Sequence, residues 1–267
     1  MKQLILALRA DVKIGFVKMV RYPVQTIVSI LILCVLFVGL FYGSRSIAGV
    51  VDTPPAEFAW SATEAIAGYL LWFFALMAID SMSQNIAEEA QTGTLEQFYL
   101  SRWSFSLMMF FRFVSSMFTS LVMVVPLLLL MVLTTGVSLD LGALFLALPI
   151  IGLTILGLCG LGYILGALTL LFKRIGNVMT LFQFGLLFLA LSPIESLSPL
   201  LQFVALTLPL AQGVKLLRIA LLNSGSYLVT AGFLLLILNS VVYLVIGVLV
   251  FRWAEAVAKD KGLLGHY

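Results

Sequence analysis

Charged side chains are scarce in this chain, and their scarcity excludes several classes of protein. Only 15 Lys and Arg and 12 Asp and Glu occur among 267 residues, so 10% of the chain is charged while 62% is apolar. Soluble domains typically carry about 25% charged and about 45–50% apolar residues. So few charges cannot cover a water-exposed surface. A soluble enzyme, a disordered chain and a nucleic-acid binder are therefore excluded, and no nucleic-acid partner is expected.

The residues that build most catalytic and metal sites are also few. The two cysteines, Cys34 and Cys159, lie inside apolar runs, which excludes a disulfide framework and a cysteine-based zinc site. The single histidine is His266, in the polar tail. The glycine-rich motif GxxxxGK[ST], which cradles nucleotide phosphates, does not occur. We therefore expect no catalytic residue, no metal site and no cofactor bound by this chain itself.

Long apolar runs separate the few charges, and their lengths fit membrane spans. A helix needs about 20 predominantly apolar residues to cross the hydrocarbon core. No run shows the period-two alternation of a barrel strand, and only helices and closed barrels satisfy their backbone groups in lipid. The sequence therefore predicts an all-α integral membrane protein. Its six predicted transmembrane helices cover residues 23–43, 65–83, 105–134, 142–171, 175–193 and 227–251.

The positions of the basic residues predict which helix ends face the cytoplasm. Lys and Arg cluster in residues 1–21, in the turn 172–175 and in the tail from Arg252 onward. Cytoplasmic segments of membrane proteins carry an excess of these residues. We therefore expect a multi-pass protein of the plasma (inner) membrane with both termini in the cytoplasm.

Residues 1–22 are too basic to cross the bilayer and predict a helix on its surface. An apolar stripe runs beside a basic one, which is typical of an interfacial amphipathic helix. A solvated basic leader is the alternative. The predicted apolar stripe consists of Leu4, Ile5, Leu8, Val12 and Phe16.

Residues 194–226 are too apolar for an open loop and too interrupted by proline to cross the bilayer. They predict two short re-entrant helices on the outer side, near residues 196–207 and 210–222. Lys215 and Arg218 would then lie outside, although Lys and Arg are generally enriched on the cytoplasmic side. Because they share one helical face, they can reach lipid headgroups or pair with a nearby acid, Glu195.

Polar and small residues inside the predicted spans favour contacts between helices over a transport site. Asp80 and Arg112 lie near the cytoplasmic ends of spans two and three, where they either pair or extend separately to the interface. Asn239, midway along span six, is expected to hydrogen-bond a neighbouring helix. Glycines four residues apart are typical of closely packed helices. Such pairs are Gly39 with Gly43 in span one and Gly162 with Gly166 in span four.

The most polar internal stretch, residues 84–102, is acidic on the side where basic residues are the rule. Thr94 followed by Gln97 fits a capping box, so a short helix is predicted to begin there, and Gly93 permits the turn before it. Membrane orientation does not explain an acidic cytoplasmic loop, whereas a docking surface does; a solvated connector is the alternative. The predicted docking residues are Glu88, Glu89, Gly93, Thr94, Glu96 and Gln97.

Aromatic residues are concentrated in the second and fifth predicted spans. If they face a central slot, they suit an apolar or amphipathic substrate. Packing within the bundle or contact with lipid is the alternative for each of them. The candidates for a substrate path are Tyr69, Trp72, Phe73, Gln183, Phe184 and Phe188.

Taken together, these features resemble the membrane (permease) subunits of type-2 ABC exporters. The most specific part is residues 89–97, Glu-Ala-Gln-Thr-Gly-Thr-Leu-Glu-Gln, and residues 206–218 and 251–267 are also similar. The resemblance implies a pair of membrane subunits that meet chiefly through spans two and five, a homodimer being favoured over a heterodimer. It also implies two copies of a separate ABC ATPase subunit, which bind ATP and Mg and dock on residues 84–100 as the coupling helix, with the N-terminal helix as a second contact.

The function that the resemblance implies is ATP-driven export. The substrate would be apolar or amphipathic, such as a drug, a lipid or a lipid-linked glycan, moved out of the cytoplasm or the inner leaflet. The chain itself would not be an enzyme. A secondary carrier is one alternative, although such carriers usually need a charge deep in a span. A non-transporting membrane scaffold, with another partner on the acidic loop, is the second.

Overall fold

The computed structural model describes residues 2–50, 61–91, 103–137, 141–172, 175–192, 198–222 and 231–260. The regular structure in these ranges is entirely helical, which confirms the predicted fold class. In chain order, the helices are α1 (Lys2–Arg21), α2 (Pro23–Val50), α3 (Ala62–Gln91), α4 (Phe105–Thr135), α5 (Leu141–Leu171), α6 (Gly176–Leu191), α7 (Pro199–Thr207), α8 (Pro209–Leu222) and α9 (Ala231–Asp260).

Among the described residues, five helices are long and apolar enough to cross a membrane, and they overlap predicted spans one to four and six. These are α2, α3, α4, α5 and α9. Helices α2, α3 and α9 extend seven, eight and nine residues beyond the predicted ends of their spans. The fifth predicted span is found as α6, which has only 16 residues. At 1.5 Å per residue it is about 24 Å long, shorter than the hydrocarbon core of about 30 Å. Helix α6 is therefore shorter than the span that the sequence predicts for residues 175–193.

Helices α7 and α8 are the two short helices that the sequence predicts between spans five and six. Their axes differ in direction by 89° at the break around Leu208. Each begins with a proline, Pro199 and Pro209, at a position where the missing N–H costs no intrahelical hydrogen bond. A sharply bent pair of this kind is the geometry of a re-entrant segment or of a broken span.

Two side-chain amides satisfy the carbonyls that this break leaves without a helical partner. Gln212 Nε2 donates to the Leu206 carbonyl at 2.6 Å, and Asn239 Nδ2 of α9 donates to the Thr207 carbonyl at 2.8 Å. An unpaired carbonyl in apolar surroundings is costly, so these bonds allow the chain to bend there. The prediction that Asn239 bonds a neighbouring helix is confirmed.

Helix α3 lies at the centre of the bundle and packs against α4, α5, α6 and α8. In its most apolar part 72% of the residues are buried inside the chain, against 17% in α2 and in α9. The consecutive helices α4 and α5 pack chiefly against α3 and other helices, with little contact to each other. The most extensive contact between helices joins α5 to α9.

Glycines explain how close α5 and α9 come. A Cβ atom at Gly160 would collide with the Tyr243 carbonyl, and one at Gly247 would collide with the Gly160 carbonyl. Only residues without a side chain fit where the two backbones touch. The seam is an instance of small residues permitting close helix approach in membranes.

The two predicted glycine pairs behave differently. Gly162 and Gly166 face α3, where added Cβ atoms would meet the side chains of Met82 and Ile86, so their predicted packing role is confirmed. A Cβ atom at Gly39 or Gly43 would meet no atom within 4 Å among the described residues. For this second pair the structure provides no packing partner within the described part of the chain.

Helix α1 is present as predicted, and it contacts α4 through Gly15, which lies against Thr119. Of the predicted apolar stripe, Leu8 and Val12 are among the less exposed positions, while Phe16 is 40% exposed. The side chains of residues 1–7 lie outside the described residues. The least exposed positions of the described turns are Leu8, Asp11, Val12, Gly15 and Met19.

Candidate functional site

The predicted docking residues lie at and beyond the end of α3. Glu88 and Glu89 occupy its last turn, but their side chains lie outside the described residues, as do residues 92–102. Helix α3 therefore leads from the centre of the bundle directly to the start of the predicted docking segment. Gly93, Thr94, Glu96 and Gln97 fall within residues 92–102.

The three path candidates on α3 are buried within the chain. Tyr69 donates its hydroxyl hydrogen to the Leu33 carbonyl of α2 at 2.6 Å, and its ring lies 5.1 Å from the ring of Trp72. Phe73 is fully buried and makes an edge contact with Phe74. In the described arrangement these three side chains pack between helices and do not face an open slot.

A polar seam joins α3 to α6 through Gln183. Trp72 Nε1 donates to the Gln183 backbone carbonyl at 2.9 Å, and Gln183 Nε2 donates to Asp80 Oδ1 at 2.8 Å. The Gln84 side chain also hydrogen-bonds the Asp80 carboxyl group. A carboxyl group within a span is tolerated only with such partners. These bonds fix the relative position of α3 and α6.

Asp80 and Arg112 have different neighbours from those proposed on the sequence. The carboxyl group of Asp80 faces Gln183, and the guanidinium of Arg112 lies near Asp11 of α1. Burial raises the pKa of Asp11, and the charge of Arg112 offsets part of that rise. The structure therefore links α3 to α6 and α1 to α4, and each residue serves a separate pair of helices.

The end of α6 is held by α3 and α8 together. Arg218 Nη2 of α8 donates to the carbonyls of Ala190 and Leu191 at 2.9 and 3.2 Å. A cation at these last carbonyls also complements the helix dipole. A Cβ atom at Gly68 of α3 would collide with the Ala190 carbonyl. The sequence predicts that Arg218 contacts lipid headgroups or pairs with Glu195. Glu195 lies outside the described residues.

This role of Arg218 leaves only a weak signal in the sequence. A short apolar helix that ends without glycine or a local cap needs donors for its last carbonyls. The donor comes from a residue 27 to 28 positions away, so no local pattern connects the two.

The remaining path candidates face outward from α6. Phe184 is 56% exposed and Phe188 is 58% exposed in the isolated chain, whereas Leu186 and Leu187 are buried against the bundle. The six candidates thus form a buried group on α3, an exposed pair on α6 and Gln183 between them. The exposed face of α6 consists of Val178, Leu181, Phe184 and Phe188.

A comparison with known families gives one result for this chain. The family model described as ABC-2 type transporter matches residues 6–222, from α1 to the end of α8. No curated protein matches the chain.

Proposed function

Since the chain belongs to the ABC-2 type transporter family and is a transmembrane subunit of an ABC transporter, we propose that it forms the permease of an ATP-driven exporter. The observation that supports this most directly is the course of α3. This helix runs from the buried Trp72–Gln183–Asp80 seam to the acidic segment 84–102. A force applied at that segment reaches the centre of the bundle through one continuous helix.

The partner at the acidic segment is an ABC ATPase, which supplies the ATP- and Mg-binding site that this chain does not carry. Two copies act on a pair of membrane subunits, each docked on the coupling residues around Glu89 and Gly93. Each nucleotide state then has to favour one of two arrangements of the bundle. The central position of α3, which contacts α2 as well as α4, α5, α6 and α8, supports its role as the transmitting element.

The second membrane subunit is another copy of this chain and packs on the exposed face of α6. Phe184 and Phe188 provide aromatic surface there, and such residues are enriched at the centres of interfaces. Helix α3 offers less surface to a second copy, because most of it is already buried within the chain. The contact between subunits is therefore made by span five more than by span two.

The substrate is apolar or amphipathic and leaves the cytoplasm or the inner leaflet along the α6 faces of the two subunits. In this proposal the exposed side chains of Phe184 and Phe188 line the path. Tyr69, Trp72 and Phe73 reach the path only when α3 separates from α6, which breaks the two hydrogen bonds made by Gln183. Both termini of this plasma (inner) membrane protein face the cytoplasm.

Reversal of one charge in the coupling segment tests the docking assignment. The variant Glu89→Lys should reduce co-purification of the ABC ATPase with the tagged chain, and Mg-dependent ATP hydrolysis by the purified complex should fall with it. Gly93→Pro should have the same effect, because proline removes both the flexible turn and an N–H. The fold should be retained in both, as judged by thermal unfolding of the chain alone.

The matched control is Asp260→Lys on α9. It reverses an exposed acid near the same predicted side. Normal ATPase binding and hydrolysis in Glu89→Lys and Gly93→Pro would remove residues 84–102 from the proposed docking site.

A further inference from the structure

The start of α4 and the end of α9 enclose a cavity with a cation in its wall. The cavity has a volume of about 290 Å³ and lies between Ser104, Leu107, Tyr163, Leu244 and Arg252. The hydroxyl group of Ser104 makes no capping hydrogen bond to α4. Tyr163 forms part of the wall and donates its hydroxyl hydrogen to the Ser106 carbonyl at 2.6 Å.

Arg252 brings a positive charge to this cavity, and no acid is among the residues that line it. The residue is exposed, and within the described residues it forms no salt bridge or hydrogen bond. The neighbouring acid on the same helix, Glu255, pairs instead with Lys259 at 2.8 Å. An anion in the cavity would therefore meet Arg252 and the Ser104 hydroxyl group and no competing carboxylate among its lining residues.

Two tryptophans place this cavity at headgroup depth. Trp253 follows Arg252 and is 61% exposed, and Trp103 precedes Ser104. Tryptophan is enriched at the boundary between lipid headgroups and hydrocarbon. The two helix ends are also adjacent in space, since the rings of Phe105 and Phe251 lie 5.5 Å apart.

A second, apolar cavity continues from the first along α4. It has a volume of about 240 Å³ and shares Phe110 with the first cavity. It lies where the consecutive helices α4 and α5 pack on α3 with little contact to each other. Its wall includes Phe74 of α3, Phe113, Met117 and Leu121 of α4, and Ile155 of α5.

The length of the combined groove fits one lipid molecule. From Ser104 to Leu121, α4 rises about 25 Å, and one leaflet with its headgroups is about 20–22 Å thick. One end of the groove carries a cation and a hydroxyl group, and the remainder is apolar. This distribution matches a phosphate joined to an acyl chain.

We infer that the combined groove formed by these two cavities is a binding site for an anionic phospholipid of the surrounding membrane. The phosphate lies against Arg252 and Ser104, and one acyl chain runs past Phe110 to Leu121. Basic recesses between transmembrane helices bind anionic headgroups in this way. The inferred site uses no residue of the coupling segment or of the exposed face of α6, so its test does not require the ATPase.

The test is lipid-dependent thermal stabilisation of the purified full chain in neutral detergent. Dioctanoyl phosphatidylglycerol should raise the unfolding temperature at lower concentration than dioctanoyl phosphatidylcholine does. Arg252→Gln should weaken the phosphatidylglycerol effect by about tenfold, since one charge-assisted bond is lost. The control Lys18→Gln, an exposed cation of α1 outside both cavities, should remain within about twofold of the wild type.

Filling the apolar part of the groove with a side chain provides a second, independent test of the inference. A Cβ atom at Gly152, in the wall of the apolar cavity, would meet no atom of the described residues within 4 Å. Gly152→Leu should therefore fold and should weaken stabilisation by both lipids. Glycerol 3-phosphate at millimolar concentration should not replace the lipid.

Three outcomes would overturn the inference. Equal stabilisation by the two lipids would remove the role of the charge, and an unchanged response in Arg252→Gln would remove Arg252 from the site. Full protection by glycerol 3-phosphate would show a site for soluble phosphates in place of a lipid site.

Discussion

Single polar side chains in this protein act mainly at the ends and breaks of helices. Asn239 and Gln212 satisfy carbonyls at the break between α7 and α8, and Arg218 satisfies the last carbonyls of α6. In apolar surroundings each unpaired carbonyl would cost about 1–3 kcal/mol. These three side chains are placed where regular helix is interrupted, whereas Asp80 and Gln183 join two helices along their length.

Asp11 gives a prediction at the residue scale. Burial raises its pKa, and Arg112 reduces that rise only in part. A carboxyl group whose pKa is raised by folding stabilises the folded state below its ordinary pKa, and this contribution is lost as pH rises through the raised value. The unfolding temperature of the chain in detergent should therefore contain a component that falls as the pH rises above about 4.

The variant Asp11→Asn should lack this component, because it does not ionise. Lys18→Gln, on the exposed side of α1, should keep the wild-type pH profile. Superimposable pH profiles for the wild type and Asp11→Asn would contradict the assignment.

At the scale of helices, the seam between α5 and α9 depends on the absence of two side chains. The predicted cost of adding one methyl group at Gly247 follows from the backbone contact with Gly160, which cannot move aside as a side chain can. Overpacking of this kind costs about 1–3 kcal/mol. Gly247→Ala should therefore lower the unfolding temperature.

The control for this prediction is Gly39→Ala in α2, another apolar helix. An added Cβ atom there would meet no atom within 4 Å among the described residues, and alanine favours helix more than glycine does. Gly39→Ala should leave the unfolding temperature unchanged or slightly higher. An equal loss of stability in both variants would mean that the lost backbone flexibility of glycine, and not the close contact between α5 and α9, causes the destabilisation.

At the scale of the whole molecule, the outward surface is that of a membrane protein. Large apolar side chains such as Leu181 and Leu200 are 75% and 82% exposed in the isolated chain. Water does not favour such a surface, whereas lipid or a second subunit does. The orientation of this surface in the membrane is a prediction from the basic termini.

Cysteine labelling tests that orientation. Single cysteines at Ser224 and at Ser101, in a background lacking Cys34 and Cys159, should differ in reactivity toward an impermeant thiol reagent added to intact cells. The prolines around residues 199–209 leave no helix long enough to cross before Lys215, and both termini are basic. Position 224 should therefore be modified and position 101 spared.

The reverse pattern, or equal labelling of the two positions, would contradict the six-span topology. The proposed coupling role of residues 84–102 would then fail with it, because that segment would not face the ATPase. Permeabilised cells, in which both positions should react, provide the control for accessibility.

The sequence by itself determined which segments are helical. Apolar runs between sparse charges gave five full-length spans, since the thickness of the bilayer sets the length that a helix needs. Pro199 and Pro209 gave the two short helices between spans five and six, because proline fixes where a helix can begin. The motif at residues 89–97 agreed with the family, which the match to residues 6–222 shows independently.

Only the tertiary structure decided which helix is central and which side chains meet. Gln183 and Asp80 are 103 residues apart, so no local pattern could pair them or separate the buried aromatics of α3 from the exposed ones of α6. Helix α1 approaches α4 closely at Gly15, and hydrophobic periodicity does not predict this contact. In a chain that is apolar almost throughout, hydrophobicity cannot distinguish lipid from protein as a neighbour, and that choice is made by steric fit and by a few hydrogen bonds between helices.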